Sequence, residues 1–201
     1  MITLGYSNEK KKKSRTKILP EDNPALSKEE IRLLLNASRT HENHYLWFRM
    51  LYSFGLQLSE LVSLRVEDLD WSHHKILIHH SQTLHPRNPS IPHSLRRDLW
   101  LISQGKQGED FLFSGRIGKL RPRTVQKMFS KLEEMTGLSI SVFRLRRSLA
   151  SHLIEAGWDL ESIQEQLGLS SQKSLKDLLG QKPKQAPLKI FPLEEINGSA
   201  A

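Results

Sequence analysis

The 201-residue sequence contains no cysteine. That removes disulfides, thiolate zinc sites, iron–sulfur ligation and cysteine nucleophiles together. No apolar run approaches the roughly 20 residues that a membrane-spanning helix needs. The basic amino-terminal stretch is not followed by the apolar segment of a secretory signal. Neither a Gly-x-Ser-x-Gly elbow nor a Walker-type glycine loop occurs, so two common hydrolase and nucleotide-binding patterns are missing. Tyrosine is scarce as well: Tyr6, Tyr45 and Tyr52 are the only three, and none follows Tyr52. A cytosolic, non-redox protein without a membrane partner is the expectation.

Positive charge is abundant. Thirty Lys and Arg face 22 Asp and Glu, a formal net charge of +8, while 37% hydrophobic residues suffice for a sizeable core. The charge is clustered. Lys10, Lys11, Lys12 and Lys13 run into Ser14-Arg15-Thr16-Lys17 without an acid, which reads as a solvated tail or as an arm on phosphates. Between Arg96 and Arg147 there are 12 basic residues and 5 acidic ones. Such clustering repels itself unless counterions or phosphates neutralise it, so a polyanionic partner is expected.

Residues 1–24 lack hydrophobic periodicity and contain Pro20 and Pro24, which predicts a basic arm and linker. A folded unit over 25–180 follows, then an extended tail over 181–201. Ser27-Lys28-Glu29-Glu30 fits a capping box ahead of a helix over 28–38. Two further helices over 43–54 and 58–64 are separated at Gly55 and carry dense Leu, Trp, Phe and Tyr. Lys75-Ile76-Leu77-Ile78-His79-His80 predicts a strand after the turn-like Asp70-Trp71-Ser72, with a second short strand at Ser90-Ile91. Helices over 93–103, 122–135, 142–156, 159–167 and 171–179 complete the reading, with Gly105, Gly137, Gly157 and Gly168 as stops.

The nine histidines raise a metal site, and His73-His74 and His79-His80 flank the predicted strand. Adjacent residues in a strand point to opposite faces, and no helical His-Glu-x-x-His pattern is present, so no metal and no cofactor is expected. His152 lies in the apolar run Ala150-Ser151-His152-Leu153-Ile154, which reads as a core or helix-edge histidine. Residues 159–179 read as helix, glycine turn, helix, a pattern shared by DNA readers and by any antiparallel helix pair.

Two segments together resemble the catalytic domain of the tyrosine recombinase family, the phage integrase and Xer-like proteins. Gly55-Leu56-Gln57-Leu58-Ser59-Glu60-Leu61 is similar to that family's Gly-Leu-Arg-x-Ser-Glu-Leu motif. Leu145-Arg146-Arg147-Ser148-Leu149-Ala150-Ser151-His152 and its continuation to Leu167-Gly168-Leu169 resemble the His-x-x-Arg helix and its successor. The strand pair sits between them, where the family has a β-hairpin. The resemblance implies a mainly α fold with a small antiparallel sheet, lacking the helical core-binding domain that ordinary members carry first.

The family cleaves a DNA phosphodiester with a tyrosine hydroxyl, aided by two arginines, a lysine and two histidine-type residues. In this sequence the first arginine position is Gln57, the His-x-x-Arg histidine is Phe143, the later histidine or tryptophan is Leu169, and the nucleophile position is Leu178. The hairpin offers Arg87 in place of lysine, and of the catalytic set only Arg146 is retained. Each lost charged donor is worth about 10²–10³ in rate. The expectation is therefore a catalytically inactive DNA-binding protein with an accessory or regulatory role in recombination or integration. Duplex phosphates would meet Arg121, Arg123, Lys127, Arg144, Arg146, Arg147 and the Lys10 to Lys13 arm. Further expected partners are an active tyrosine recombinase, or a second copy through the tail, where Leu188, Ile190, Phe191 and Leu193 offer apolar anchors. Two alternatives stay open: a protein-interaction module without DNA binding, and an active recombinase that borrows a partner's nucleophile. In a bacterium the protein would be nucleoid-associated.

Overall fold

The computed structural model describes residues 24–79, 84–115 and 118–180. Eight α-helices, a 3-10 turn (Val66–Asp68) and one two-stranded sheet occur among them: α1 (Lys28–Ser38), α2 (Glu42–Phe54), α3 (Leu58–Ser63), β1 (Leu69–Asp70), β2 (Lys75–Ile76), α4 (His93–Ser103), α5 (Pro122–Thr136), α6 (Val142–Glu155), α7 (Leu160–Leu167) and α8 (Gln172–Leu179). The mainly helical class expected from the sequence is what forms. The Lys10 to Lys13 run and the tail from Pro183 lie outside the described residues.

Local chemistry sets the helix boundaries. Ser27 and Glu30 form the expected reciprocal cap, with the Glu30 N–H donating to Ser27 Oγ at 3.1 Å and the Ser27 N–H to Glu30 Oε2 at 2.7 Å. Ser141, Asp159 and Ser171 cap α6, α7 and α8 in the same manner, each accepting a main-chain N–H from three residues on. The α2 helix is apolar nearly all round: Trp47, Phe48, Met50, Leu51, Tyr52 and Phe54 are all buried. It must therefore be surrounded, and α1, α3, α5 and α6 pack against it.

The second central helix is α6, which packs against α2, α7 and α8. The Tyr52 hydroxyl lies 2.6 Å from His152 Nδ1 between α2 and α6, so His152 is the core histidine its apolar run predicts. The chain ahead of α1 is tied to α6 by the Leu26 N–H, which donates to Ser148 Oγ at 2.8 Å. Arg49 on α2 reaches Asp98 and the Ser94 carbonyl, which fastens α4.

The sheet departs from expectation. Regular pairing joins β1 to β2 with Leu69 opposite Ile76 and Asp70 opposite Lys75, and Trp71 to His74 form the turn. The segment expected to supply the second strand meets β2 and Ile78 only through isolated bridges, Lys75 with Ser90 and Ile78 with Arg87. Pro86 and Pro89 carry no N–H, so a continuous ladder cannot form there; Pro89 still accepts from the Ile76 N–H at 3.0 Å. His73 and His79 are paired with Asp70 and Asp68, at 2.7 and 2.6 Å.

Candidate nucleic-acid interface

The geometry around α6 centres on its three arginines, which are buried. Arg144, Arg146 and Arg147 are 8%, 6% and 3% exposed. Arg144 donates through Nε to the Pro24 carbonyl at 2.8 Å and through Nη1 to the Ser139 carbonyl at 2.6 Å. Arg147 donates from Nε to the Leu178 carbonyl at 2.7 Å, and its guanidinium lies 5.5 Å from the Phe143 ring. Arg146 bridges the Gly55 carbonyl and the Leu167 carbonyl, the latter at 3.0 Å. These guanidinium groups therefore hold main chain together instead of lying open on the surface.

Arg146 sits where two helices end. Gly55 closes α2 and Gly168 closes α7, both left-handed, so the negative ends of two helix dipoles converge on one cation. The close approach requires glycine at both corners. A Cβ on Gly55 would lie 2.4 Å from Leu167 Cδ2, and one on Gly168 would lie 2.8 Å from the His85 carbonyl oxygen and 2.9 Å from Arg87 Nη1. Burial pushes the Arg146 guanidinium down to about 10, the nearby Arg87 charge adds to that shift, and Glu60 opposes it. Arg146 is accordingly charged at neutral pH.

Glu60 and Arg87 form the neighbouring pair. Arg87 Nη1 donates to Glu60 Oε1 at 2.7 Å and Nη2 to Oε2 at 3.0 Å, with both side chains almost fully enclosed. The same carboxylate accepts the Gln57 N–H at 2.7 Å and so fixes the start of α3. Gln57, Glu60, Arg87, Arg146 and Gly168 thus gather from four separate elements. Of the other family positions, Phe143 is 47% exposed on the first turn of α6, Leu169 is half-buried, and Leu178 is 5% exposed beneath Arg147.

Charge that is open to a ligand lies on α5 and the chain before it. Arg121, Arg123 and Lys127 are exposed, and Arg123 and Lys127, four residues apart, share one outward stripe. The opposite face of α5 buries Val125, Met128, Phe129 and Leu132. No acid occupies the first turn, so the positive end of the helix dipole adds to the side-chain charge. Lys119 Nζ donates to Ser63 Oγ at 2.9 Å and lies 5.0 Å from the Phe111 ring centre, with Arg65 at 5.1 Å from the same ring. Arg65 was not singled out in the sequence, because an isolated arginine far from the basic stretch carries no local signal. The short α3 links the two regions: Gln57 touches the Arg87–Glu60 pair at its start, and Ser63 meets Lys119 at its end. A six-residue helix is about 9 Å long, so Lys119, held at one end of α3, lies near the Glu60–Arg87 pair at the other.

Among the described residues, no group of three His, Cys, Asp or Glu is placed to hold a metal ion, and no helix is long and apolar enough to cross a membrane.

Comparison with known proteins places this arrangement. The family model described as "Phage integrase family" matches residues 24–177, and the chain belongs to that family of tyrosine recombinase and integrase proteins. A tyrosine recombinase of Pseudothermotoga lettingae is 35% identical over 146 residues, which span 71% of this chain and 51% of that protein. The tyrosine recombinase XerA of Thermococcus onnurineus is 30% identical over 173 residues, 83% of this chain and 61% of that protein. The chain therefore spans less than two thirds of these relatives' length. Among solved structures, the crystal structure of a XerA recombinase superposes with a TM-score of 0.69 at 20% identity, covering 87% of this chain and 64% of that one. A XerH site-specific recombinase bound to a palindromic difH substrate, a post-cleavage complex, gives a TM-score of 0.64 at 20% identity, over 78% of this chain and 49% of that one.

Proposed function

We propose that this protein binds duplex DNA through the α5 face and takes an accessory or regulatory part in DNA recombination or integration, without cleaving the strand itself. The reading rests on the tyrosines. None follows Tyr52 in the sequence. Tyr52 itself is fully buried on His152, and Tyr45 accepts from Arg39 at 2.9 Å close to the start of α2. The position that resembles the family's nucleophile is the buried Leu178. Gln57, Phe143 and Leu169 carry no charge to stabilise a pentavalent phosphate. Arg146 is already satisfied by two carbonyls.

DNA is the partner favoured by the exposed cations Lys119, Arg121, Arg123 and Lys127 on α5 and the chain before it, with Arg65 beside Lys119 on the Phe111 ring. Solved structures with this fold include a Tn1549 transposon integrase in complex with a circular intermediate DNA and XerH recombinases bound to difH substrates, which supports the same partner class here. Internal use of Arg144, Arg146 and Arg147 favours the second reading, a protein-interaction module, because it takes three cations off the surface.

A salt titration of duplex binding between ~50 and ~200 mM separates the two, since log K falls with log salt by about 0.9 per phosphate contact. Binding whose salt slope drops by about one on Lys127→Glu, and again on Arg123→Glu, supports the DNA reading. No binding at ~50 mM salt overturns it in favour of protein partners. A nicked suicide substrate that leaves no covalent protein–DNA adduct supports the absence of cleavage, and an adduct refutes it.

A further inference from the structure

The geometry points to a mononucleotide site in a slot between the β2 region and α7, behind the Arg146 cluster. Lys75 pairs directly with Ser90, and Asn88 lies two residues before Ser90, so the three belong to one face of the extended segments. Ser162, Glu165 and Gln166 are spaced i, i+3, i+4 and form one face of α7. These two polar faces do not close on each other. They flank an open cavity of about 260 Å³ with Arg87 and Pro89 as buried floor, and Trp158, close before the start of α7, as a half-buried wall.

Lys75, Asn88, Ser90 and Glu165 are exposed along its rim, so the slot opens to solvent, and its polar lining suits a polar ligand. The lining specifies its chemistry. An indole face stacks on a flat ring. The amides of Asn88 and Gln166 and the Glu165 carboxylate supply the donors and acceptors that read a base edge or a ribose. The exposed Lys75 ammonium supplies one cation for one phosphate. Gln166 is held in place by its Nε2, which donates to the Ser53 carbonyl at 3.4 Å, and Ser162 by its hydroxyl, 2.7 Å from Asp159 Oδ2. The volume lies just under the roughly 300 Å³ lower bound of small-molecule pockets, a size for a nucleoside monophosphate and not for a dinucleotide. Either a free nucleotide or an unpaired nucleotide within nucleic acid presents this chemistry.

The test is calorimetry and the Trp158 indole resonance of the full chain, titrated with GMP, AMP, TMP and ribose 5-phosphate. Mononucleotides are expected to bind and shift the indole signal, and ribose 5-phosphate to bind about tenfold more weakly because it lacks the stacked base. Lys75→Ala, on the exposed rim, should weaken mononucleotide binding about tenfold without unfolding the chain. Trp158→Phe should retain binding and Trp158→Ala should lose it. No heat and no shift at ~5 mM nucleotide, or binding indifferent to Lys75→Ala, overturns the proposal and leaves a slot filled by water. A duplex with one extrahelical base that perturbs Trp158, where the paired duplex does not, assigns the nucleotide to nucleic acid. Response to free nucleotides alone assigns it to solution.

Discussion

Replacing Glu60 by alanine should destabilise this fold more than almost any other single change near the site. Glu60 is 6% exposed, accepts both Arg87 terminal nitrogens at 2.7 and 3.0 Å, and also accepts the Gln57 N–H. Its removal leaves Arg87 enclosed without a carboxylate, beside Arg146, whose own proton affinity is already depressed by burial and by Arg87. Breaking a buried pair from one side costs about 3–5 kcal/mol, most of it the penalty of the stranded charge. For a domain of this size each kcal/mol moves Tm by about 2–4 °C, so a fall of roughly 6–20 °C is expected in a thermal melt. The double variant Glu60→Met, Arg87→Met removes both charges in similar volume, and should recover at least half of that loss, since buried pairs replaced by apolar residues are often neutral. A Glu60→Ala variant melting within ~2 °C of wild type, or a double variant as unstable as the two single losses combined, would refute the reasoning.

Gly55→Ala should cost at least about 1 kcal/mol more than Gly137→Ala in urea denaturation, because both are left-handed but only Gly55 would drive a Cβ into Leu167, with open space around Gly137. Equal losses would show that the Leu167 contact yields freely. Ser148→Ala should cost about 1–3 kcal/mol by leaving the buried Leu26 N–H without its acceptor, also read in urea. His44 should titrate below the ordinary histidine value, through burial first and then the charges of His41 and Lys131. The unfolded chain then takes up that proton at a higher pH than the folded one. The stability contributed by neutral His44 is therefore present above the unfolded value and is lost as pH falls through the folded one. In an NMR titration Lys131→Met should move the His44 midpoint upward, and no movement would discard the Lys131 contribution.

Much of the architecture was legible because the signals are local. The Ser27–Glu30 cap, the apolar periodicity of α1 and α5, and the glycines after α2, α5 and α7 act within one or two helical turns, so the helix boundaries agree with the periodicity to within a residue or two. The sheet was less legible. Leu69-Asp70 shows no strand pattern in two residues, and only the tertiary position of β2 selects it as the partner. For the site, the sequence indicated which residues stand at the family's positions and that cations concentrate before and along α5. It could not indicate that Arg144, Arg146 and Arg147 turn inward, because a guanidinium is stable in the interior only when acceptors converge on it from elsewhere. Those acceptors are carbonyls of Pro24, Ser139, Gly55, Leu167 and Leu178, supplied by segments up to 120 residues away along the chain.

Residue identity and near neighbours set the absence of cysteine chemistry, the lack of tyrosine after Tyr52, the excess of positive charge and the helical periodicity. Which cations face solvent and which bind the main chain follows only from long-range packing. The same packing brings Glu60 to Arg87, seats Arg65 and Lys119 on the Phe111 ring, and joins two helix ends at Arg146. These outcomes depend on chain segments far apart in sequence being brought within hydrogen-bonding distance, where burial changes the energy of every charge they contain.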